Sequence, residues 1–307
     1  MHQLKGGIFM YQIEKNKIKS ALKCVTLIIL FTLLTLDITK NLIDAYAITS
    51  IEPKLCVPII MYHQVKLTRL GKDVISPTEF ESDLKYLSDN DYHTITMTQL
   101  IDYVYNGAEL PQNPIILTFD DGYYSTYKYV FPLLEKYDMN IVLSIIGKTT
   151  DDFTRVEDTN IGYAHSSWSQ LYEMVQSGHV EIQNHTYNLH NICNGRYGCY
   201  QMKNESSSNY EKFLSDDLLA LQDRIFDKLK VTPNTFTYPY GKYNNNTEAI
   251  VKKLGFKATL SCEFGVNLIE RNSPESLYSL KRICRSHNNS IKTVIKNGMK
   301  TIKHIQN

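Results

Sequence analysis

The chain carries no surplus of charge: 33 Lys and Arg stand against 32 Asp and Glu over 307 residues, a net of +1. Nucleic acid binding needs a basic face, so no nucleic-acid partner is expected. There is no GxGxxG turn, which removes the signature of a dinucleotide fold. The cysteines show no zinc-site spacing and no internal repeat is visible. A single Trp accompanies 22 Tyr; the tyrosines suit sugar stacking and equally suit half-buried core and surface positions. What the chain does have is 43% hydrophobic residues, enough to bury the core of one large α/β domain or two smaller ones.

The clearest shift in composition is N-terminal, where Lys15, Lys17, Lys19 and Lys23 precede the apolar run Cys24–Leu36. A basic stretch, an apolar stretch and the small-x-small triplet Ala45-Tyr-Ala47 make residues 1–47 an expected export signal, with an uncleaved membrane anchor as the competing reading. The run is short for a straight helix crossing a bilayer. The expected location is secreted or extracytoplasmic, with residues 24–36 as the membrane contact. Beyond Ala47 lie Cys56, Cys193, Cys199, Cys262 and Cys284. In an oxidising location Cys193 and Cys199, close together in a polar loop, are the expected disulfide.

Residues 48–307 read as one catalytic domain. Strands are expected at 58–62, 93–97, 115–119, 141–146, 180–183, 235–238, 257–261 and 277–283, alternating with helical patterns, which implies a parallel sheet. Ser76-Pro-Thr-Glu79 is a capping box and Ser167-Trp-Ser-Gln170 opens a second helix. Leu218, Leu221, Ile225 and Leu229 mark a third, and residues 247–254 a fourth. About eight strands in this length fit a deformed (β/α) barrel of seven to eight strands better than an open sheet. Residues 191–215 lack periodicity and read as a loop insertion, either a rim over the site or a tolerated excursion.

In a barrel the chemistry sits past the C-terminal ends of the strands. His63, the pair Asp120-Asp121, His185 and Pro239-Tyr240 each follow a separate strand candidate. A lone histidine after a strand is more often structural, so it is the convergence that matters. Two adjacent carboxylates at the end of an apolar strand are costly to bury without a cation, ligand or water. His185 and His190 are five apart and would diverge by roughly 140° on a helix. They meet only if the chain turns, and two imidazoles with one carboxylate then form a facial set for a divalent transition metal.

Thr118-Phe-Asp-Asp-Gly122 matches in full the TFDDG motif of the polysaccharide deacetylase family, carbohydrate esterase family four, which is built on the NodB-homology domain. The chain resembles that family over most of its length after the N-terminal segment. The resemblance implies Asp120 as general base and Asp121, His185 and His190 as ligands of a divalent metal, zinc foremost, with cobalt and nickel as options. The family usually spaces its histidines as H-[ST]-x-x-H. His185-Thr-Tyr-Asn-Leu-His190 carries one residue more and resembles the branch acting on poly-N-acetylglucosamine. That branch has a Met-Tyr-His motif before the acidic pair, matched by Met61-Tyr-His63, which implies His63 as general acid. His287 is the rival, without the usual flanking leucines.

The R-x-P-[YF] motif survives as Thr237-Tyr-Pro-Tyr240. It implies the backbone N–H of Tyr240 in an oxyanion hole, with Pro239 along the substrate groove; Trp168, at a helix start, reads as either a groove residue or core. Thr237 stands where the family has the arginine that orients the base, and Arg282 or Arg285 are the expected substitutes. The implied reaction is metal-dependent N-deacetylation of an N-acetylglucosamine polymer, exopolysaccharide or peptidoglycan, with release of acetate. Alternatives are an O-acetyl xylan-type esterase with the same site and a catalytically inactive wall-binding module. A glycosidase fits poorly, because its carboxylates must flank the scissile bond about 5 to 9 Å apart and need no histidine ligands.

Overall fold

The computed structural model describes residues 2–49 and 54–303, which divide into an N-terminal unit and a body beginning at Lys54. The N-terminal unit is one helix, α1 (His2–Thr49). Its stretch Glu14–Leu42 is long and apolar enough to cross a membrane by length and composition. The side chains of Ala45-Tyr-Ala47 lie outside the described residues.

After a short strand, Leu55–Val57, which pairs antiparallel with Asn267–Ile269 outside the main sheet, the body runs through β1 (Ile59–Tyr62), α2 (Pro77–Asp89) and α3 (Met97–Tyr105). It continues through β2 (Pro114–Phe119), α4 (Phe131–Tyr137), β3 (Ile141–Ile145), α5 (Gly147–Val156), α6 (Trp168–Gln176) and β4 (Val180–Asn184). The last part is α7 (Ser207–Leu229), β5 (Thr235–Thr237), α8 (Asn245–Lys253), β6 (Ala258–Phe264), β7 (Leu280–Cys284) and α9 (Ile291–Lys303). The strands pair in the order β1-β7-β6-β5-β4-β3-β2, every pair parallel, and β2 pairs back onto β1. The result is a closed seven-stranded parallel barrel.

Period-two alternation divides β1, β2, β3 and β7 between two cores. Ile60, Leu117, Leu143 and Ile283 face outward onto Phe80 and Leu84 of α2, Leu134 of α4, Leu171 of α6 and Val294 of α9. Ile59, Ile116, Val142, Leu260 and Leu280 share a second cluster with Met97, Leu100, Ile101 and Val104 of α3. The amide N–H groups of Met97 and Thr98 donate to the carboxylate of Glu181 at the start of β4. Helix α3 therefore closes the N-terminal end of the barrel, and the opposite end is left for the site.

The capping boxes form as the sequence implies, with Ser76 and Glu79 exchanging hydrogen bonds at the start of α2 and Ser167 and Gln170 at the start of α6. Three expectations need correction. The segment 93–97 is a strand only at His93–Thr94, because Thr96 caps α3 through a box with Gln99. The insertion at 191–215 is loop only as far as Ser206, which caps α7. Tyr210 and Leu214 extend the buried stripe of Leu218, Leu221 and Ile225 by one turn in each step. Cys193 and Cys199 are free thiols: Cys193 is exposed on a short hairpin, Ile192–Cys193 against Arg196–Tyr197, whereas Cys199 is buried beside Tyr210 with its thiol toward the Lys242 carbonyl.

Candidate active site at the barrel mouth

The register sets β1 and β2 abreast, Tyr62 opposite Phe119 and Met61 opposite Thr118. His63 and Asp120 therefore leave neighbouring strands at the same level. Asn184 at the end of β4 lies opposite Phe236 of β5, which brings His185 beside Thr237. The residue after Asp120 breaks the strand: Asp121 has φ +73° and Gly122 φ +77°, and a side chain on Gly122 would meet Ile145 Cγ2 at 3.1 Å. Two successive left-handed residues turn the Asp121 carboxylate away from that of Asp120. Asp120, Asp121, His63, His185, His190 and Tyr240 all line one pocket of about 280 Å³.

Asp120 is almost fully buried, and Arg282 holds it with both arms of the fork, Nη1 to Oδ1 at 2.7 Å and Nη2 to Oδ2 at 2.8 Å. Arg282 is itself fixed by donating from Nε to the Ser261 carbonyl at 2.7 Å and from Nη1 to Thr118 Oγ1 at 3.2 Å. Burial pushes the Asp120 carboxyl upward, but the charge and hydrogen bonds of Arg282 outweigh it and hold the group below the usual carboxylate range. Thr237, in place of the family arginine, points at Ser144 with their hydroxyls 2.7 Å apart. His63 Nε2 lies 4.0 Å from Asp120 Oδ2.

A candidate metal-donor set stands beside this pair. Asp121 Oδ1 is 3.5 Å from His185 Nε2 and 3.4 Å from His190 Nε2. The three donor atoms fall within 4.8 Å of one another. His185 Nδ1 donates to the Thr237 carbonyl at 2.7 Å, which leaves the Nε2 lone pair facing Asp121. Burial lowers the His190 imidazolium to about 4, the direction a neutral imidazole ligand requires. Asp121 Oδ1 is buried without a hydrogen-bond partner among the described residues. A divalent cation is what this carboxylate oxygen and these two nitrogen lone pairs have in common, so the donor set fits one.

The turn that joins the two histidines is held from outside. Asp217 on α7 accepts the N–H groups of Tyr187 at 2.7 Å and Asn188 at 2.8 Å, and Asn184 Oδ1 accepts that of Thr186, whose φ is +75°. This is how a five-residue spacing converges. Tyr240, with φ +58°, sits at the tip of the turn after β5, and its ring lies 4.5 Å from that of His190.

Several expected residues lie elsewhere. Trp168 is buried in the outer core with Nε1 donating to Asp151 at 2.8 Å, and Pro239 is buried beneath Tyr240, so neither lines the pocket. Arg285 grips Asp83, and His287 Nδ1 pairs with Glu79 at 2.9 Å, both on the α2 side. Conversely, the pocket includes Gln64, Asp73, Tyr123 and Cys262, which the motifs did not single out. Tyr123 directly follows the TFDDG run and stacks on His165, whose Nδ1 is 2.9 Å from the Asp121 carbonyl oxygen. Its adjacency to the motif was the available signal; for Asp217, on a helix 27 residues after His190, there was none.

A closed parallel barrel with a paired carboxylate, a histidine and an Asp-His-His donor set at its C-terminal mouth defines a barrel hydrolase. The profile of the polysaccharide deacetylase family matches residues 107–259. Over those residues the chain carries a polysaccharide deacetylase domain. It is 28% identical over 249 residues to the putative polysaccharide deacetylase YxkH of Bacillus subtilis, covering 80% of this chain and 77% of that protein. It is 26% identical over 225 residues to the poly-beta-1,6-N-acetyl-D-glucosamine N-deacetylase of Escherichia coli K12, covering 67% of this chain but only 33% of that longer protein. Among solved structures, a de-N-acetylase from Aggregatibacter actinomycetemcomitans superposes with a TM-score of 0.66 at 26% identity, over 79% of this chain and 99% of that one.

Proposed function

We propose that the chain hydrolyses the N-acetyl groups of an extracytoplasmic N-acetylglucosamine polymer in a metal-dependent reaction that releases acetate. The observation that carries this reading is the pairing of a clamped carboxylate, Asp120 on Arg282, with an adjacent Asp-His-His donor set in one pocket. The relatives named as poly-beta-1,6-N-acetyl-D-glucosamine N-deacetylases support that polymer as the substrate class.

Asp121, His185 and His190 are the residues that would hold the metal. A divalent ion there supplies Lewis acidity, polarising the acetamide carbonyl and easing deprotonation of water. Asp120, kept ionised by Arg282, accepts the proton of the attacking water. The backbone N–H of Tyr240, presented by its left-handed turn, donates to the oxygen on which negative charge develops. His63 in its charged form gives a proton to the departing sugar nitrogen, which is a poor leaving group as the anion. Asp120 carries the proton and His63 supplies one, so the products are acetic acid and the free amine. Helix α1 supports an anchored or exported location.

The test is acetate release by the purified chain from poly-N-acetylglucosamine, peptidoglycan and acetylxylan in parallel, before and after chelation. Release from a polymer carrying N-acetyl groups that stops with chelator and returns with Zn²⁺ is expected. Release from acetylxylan alone would replace the N-deacetylase reading with the esterase one.

A further inference from the structure

The hairpin Ile192–Cys193/Arg196–Tyr197 has no part in the chemistry above and buries no core of its own, with Ile192 58% and Tyr197 44% exposed. A bare two-stranded hairpin is marginal in water, yet this one is fastened at three points. Asn194 and Gly195, at φ +50° and +80°, make a tight turn whose positive dihedrals suit the twist of the strands. Arg196 forks onto Glu205 at 2.6 and 3.0 Å, donates to the Tyr200 carbonyl at 3.0 Å and lies 4.0 Å above the Phe213 ring. At the foot, Gly198 has φ +59°, and a Cβ there would come within 3.0 Å of Pro239 Cβ and 3.2 Å of Tyr240 Cδ2. Glycine is what allows the hairpin to close on the Pro239-Tyr240 turn.

That closure lines up four rings. From His185 to His190, Tyr240 and Tyr197 the centroid separations are 4.7, 4.5 and 5.0 Å. The file runs from the metal-ligand set outward into solvent. Its last two members meet edge to face at 69°, and both remain open, Tyr240 38% exposed and Tyr197 44%.

We propose that Tyr197, with Tyr240, forms a subsite for the hexosamine ring next to the one being deacetylated, so that the chain recognises a polymer and not an isolated sugar. The inference rests on the polymer-deacetylase reading. The occupant follows from the chemistry of the corner: a pyranose presents an apolar C–H face and an equatorial polar rim, and an aromatic ring covers the first by dispersion while leaving the second in water. Continuity with the catalytic pocket makes the occupant the same substrate strand. A ring already fixed by its hairpin loses little freedom on binding.

Kinetics of the full chain in detergent test this, with a β-1,6-linked N-acetylglucosamine pentamer and 4-nitrophenyl acetate as a substrate too small to reach the corner. Tyr197→Ala is expected to raise KM for the pentamer about five- to tenfold at nearly constant kcat, and to leave 4-nitrophenyl acetate turnover unchanged. Tyr197→Phe keeps the wild-type KM, because the ring face and not the hydroxyl makes the contact. Calorimetry of the pentamer on the Asp120→Asn chain should show the same weakening when Tyr197→Ala is added. An unchanged pentamer KM in Tyr197→Ala overturns the subsite, as does an equal loss on both substrates, which would make Tyr197 a prop for Tyr240 and His190. A wild-type chain that cleaves the ester but frees no acetate from the pentamer overturns the polymer reading and the subsite with it, before any variant is made.

Discussion

Two arginines stand three residues apart, one in the middle of β7 and one just past its end, and each grips one buried carboxylate with two hydrogen bonds. Arg282 holds Asp120 at 2.7 and 2.8 Å; Arg285 holds Asp83 at 2.7 and 3.0 Å. An odd offset along an extended chain sends the side chains to opposite faces. Arg282 turns into the barrel, where its carboxylate borders the pocket beside His63, whereas Arg285 turns outward under α2, where Asp83 also accepts the Tyr62 hydroxyl at 3.1 Å. The electrostatics diverge in the same way. Arg282 overcomes burial and lowers Asp120, while burial overcomes Arg285 and Tyr62 and pushes Asp83 up to about 6. The same pair of residue types borders the candidate site on one face and packs under α2 on the other.

The sharpest separation comes from amidating each carboxylate. Asp120→Asn is expected to cut acetate release by about 10²- to 10⁴-fold, the usual worth of a general base. Asp83→Asn leaves turnover per folded molecule nearly intact but costs about 1 to 3 kcal/mol in denaturant unfolding, because Arg285 loses both carboxylate hydrogen bonds and keeps only Glu79, 3.8 Å from Nη1, as an acidic partner. Exchanging the arginines should follow the same line. Arg282→Lys loses the bidentate fork, lowers kcat/KM by roughly one to two orders of magnitude, and moves the acid limb of the pH profile upward, since a less clamped Asp120 protonates at higher pH. Arg285→Lys leaves that limb where it is.

The pH dependence of stability should differ in sign between the two. Asp83 binds its proton more tightly folded than unfolded, so it lowers stability as pH rises from about 4 to about 6. Asp120 is lowered on folding; its contribution is present above the ordinary carboxylate pKa and is lost as pH falls through the folded value. Chemical unfolding of the wild type and Asp83→Asn across pH 4 to 7 reads the difference, with the Asp83-linked decline absent from the variant. A smaller effect is expected from Asp217→Asn. Weakening its hold on the Tyr187 and Asn188 amides should lower Zn²⁺ affinity about tenfold in a competition titration, with the barrel's unfolding midpoint little moved.

Much of this was legible from local signals. The apolar runs marked all seven barrel strands to within a few residues, and Ser76-Pro-Thr-Glu79 and Ser167-Trp-Ser-Gln170 marked helix starts through side-chain to backbone geometry that is complete within four residues. The turn of the His185–His190 segment was a geometric necessity once both were taken as ligands. What was not legible depends on the third dimension. Arg282 and Arg285 are equivalent until the face of β7 is known, and Trp168 at a helix start could point to groove or core until α6 is docked. Cys193 and Cys199 are near in sequence but face solvent and core. The start of α7 hid behind three serines, because its polar cap residues resemble a loop until Tyr210 and Leu214 are seen to be buried.

The central claim is that one strand end divides its labour, Asp120 for the proton and Asp121 for the metal. It is tested most directly by measuring bound Zn²⁺ and acetate release on the same preparations of Asp120→Asn and Asp121→Asn. The account predicts that Asp120→Asn binds zinc like the wild type and is inactive, while Asp121→Asn loses zinc and activity together. Retained turnover in Asp120→Asn, or undiminished zinc binding in Asp121→Asn, would contradict it.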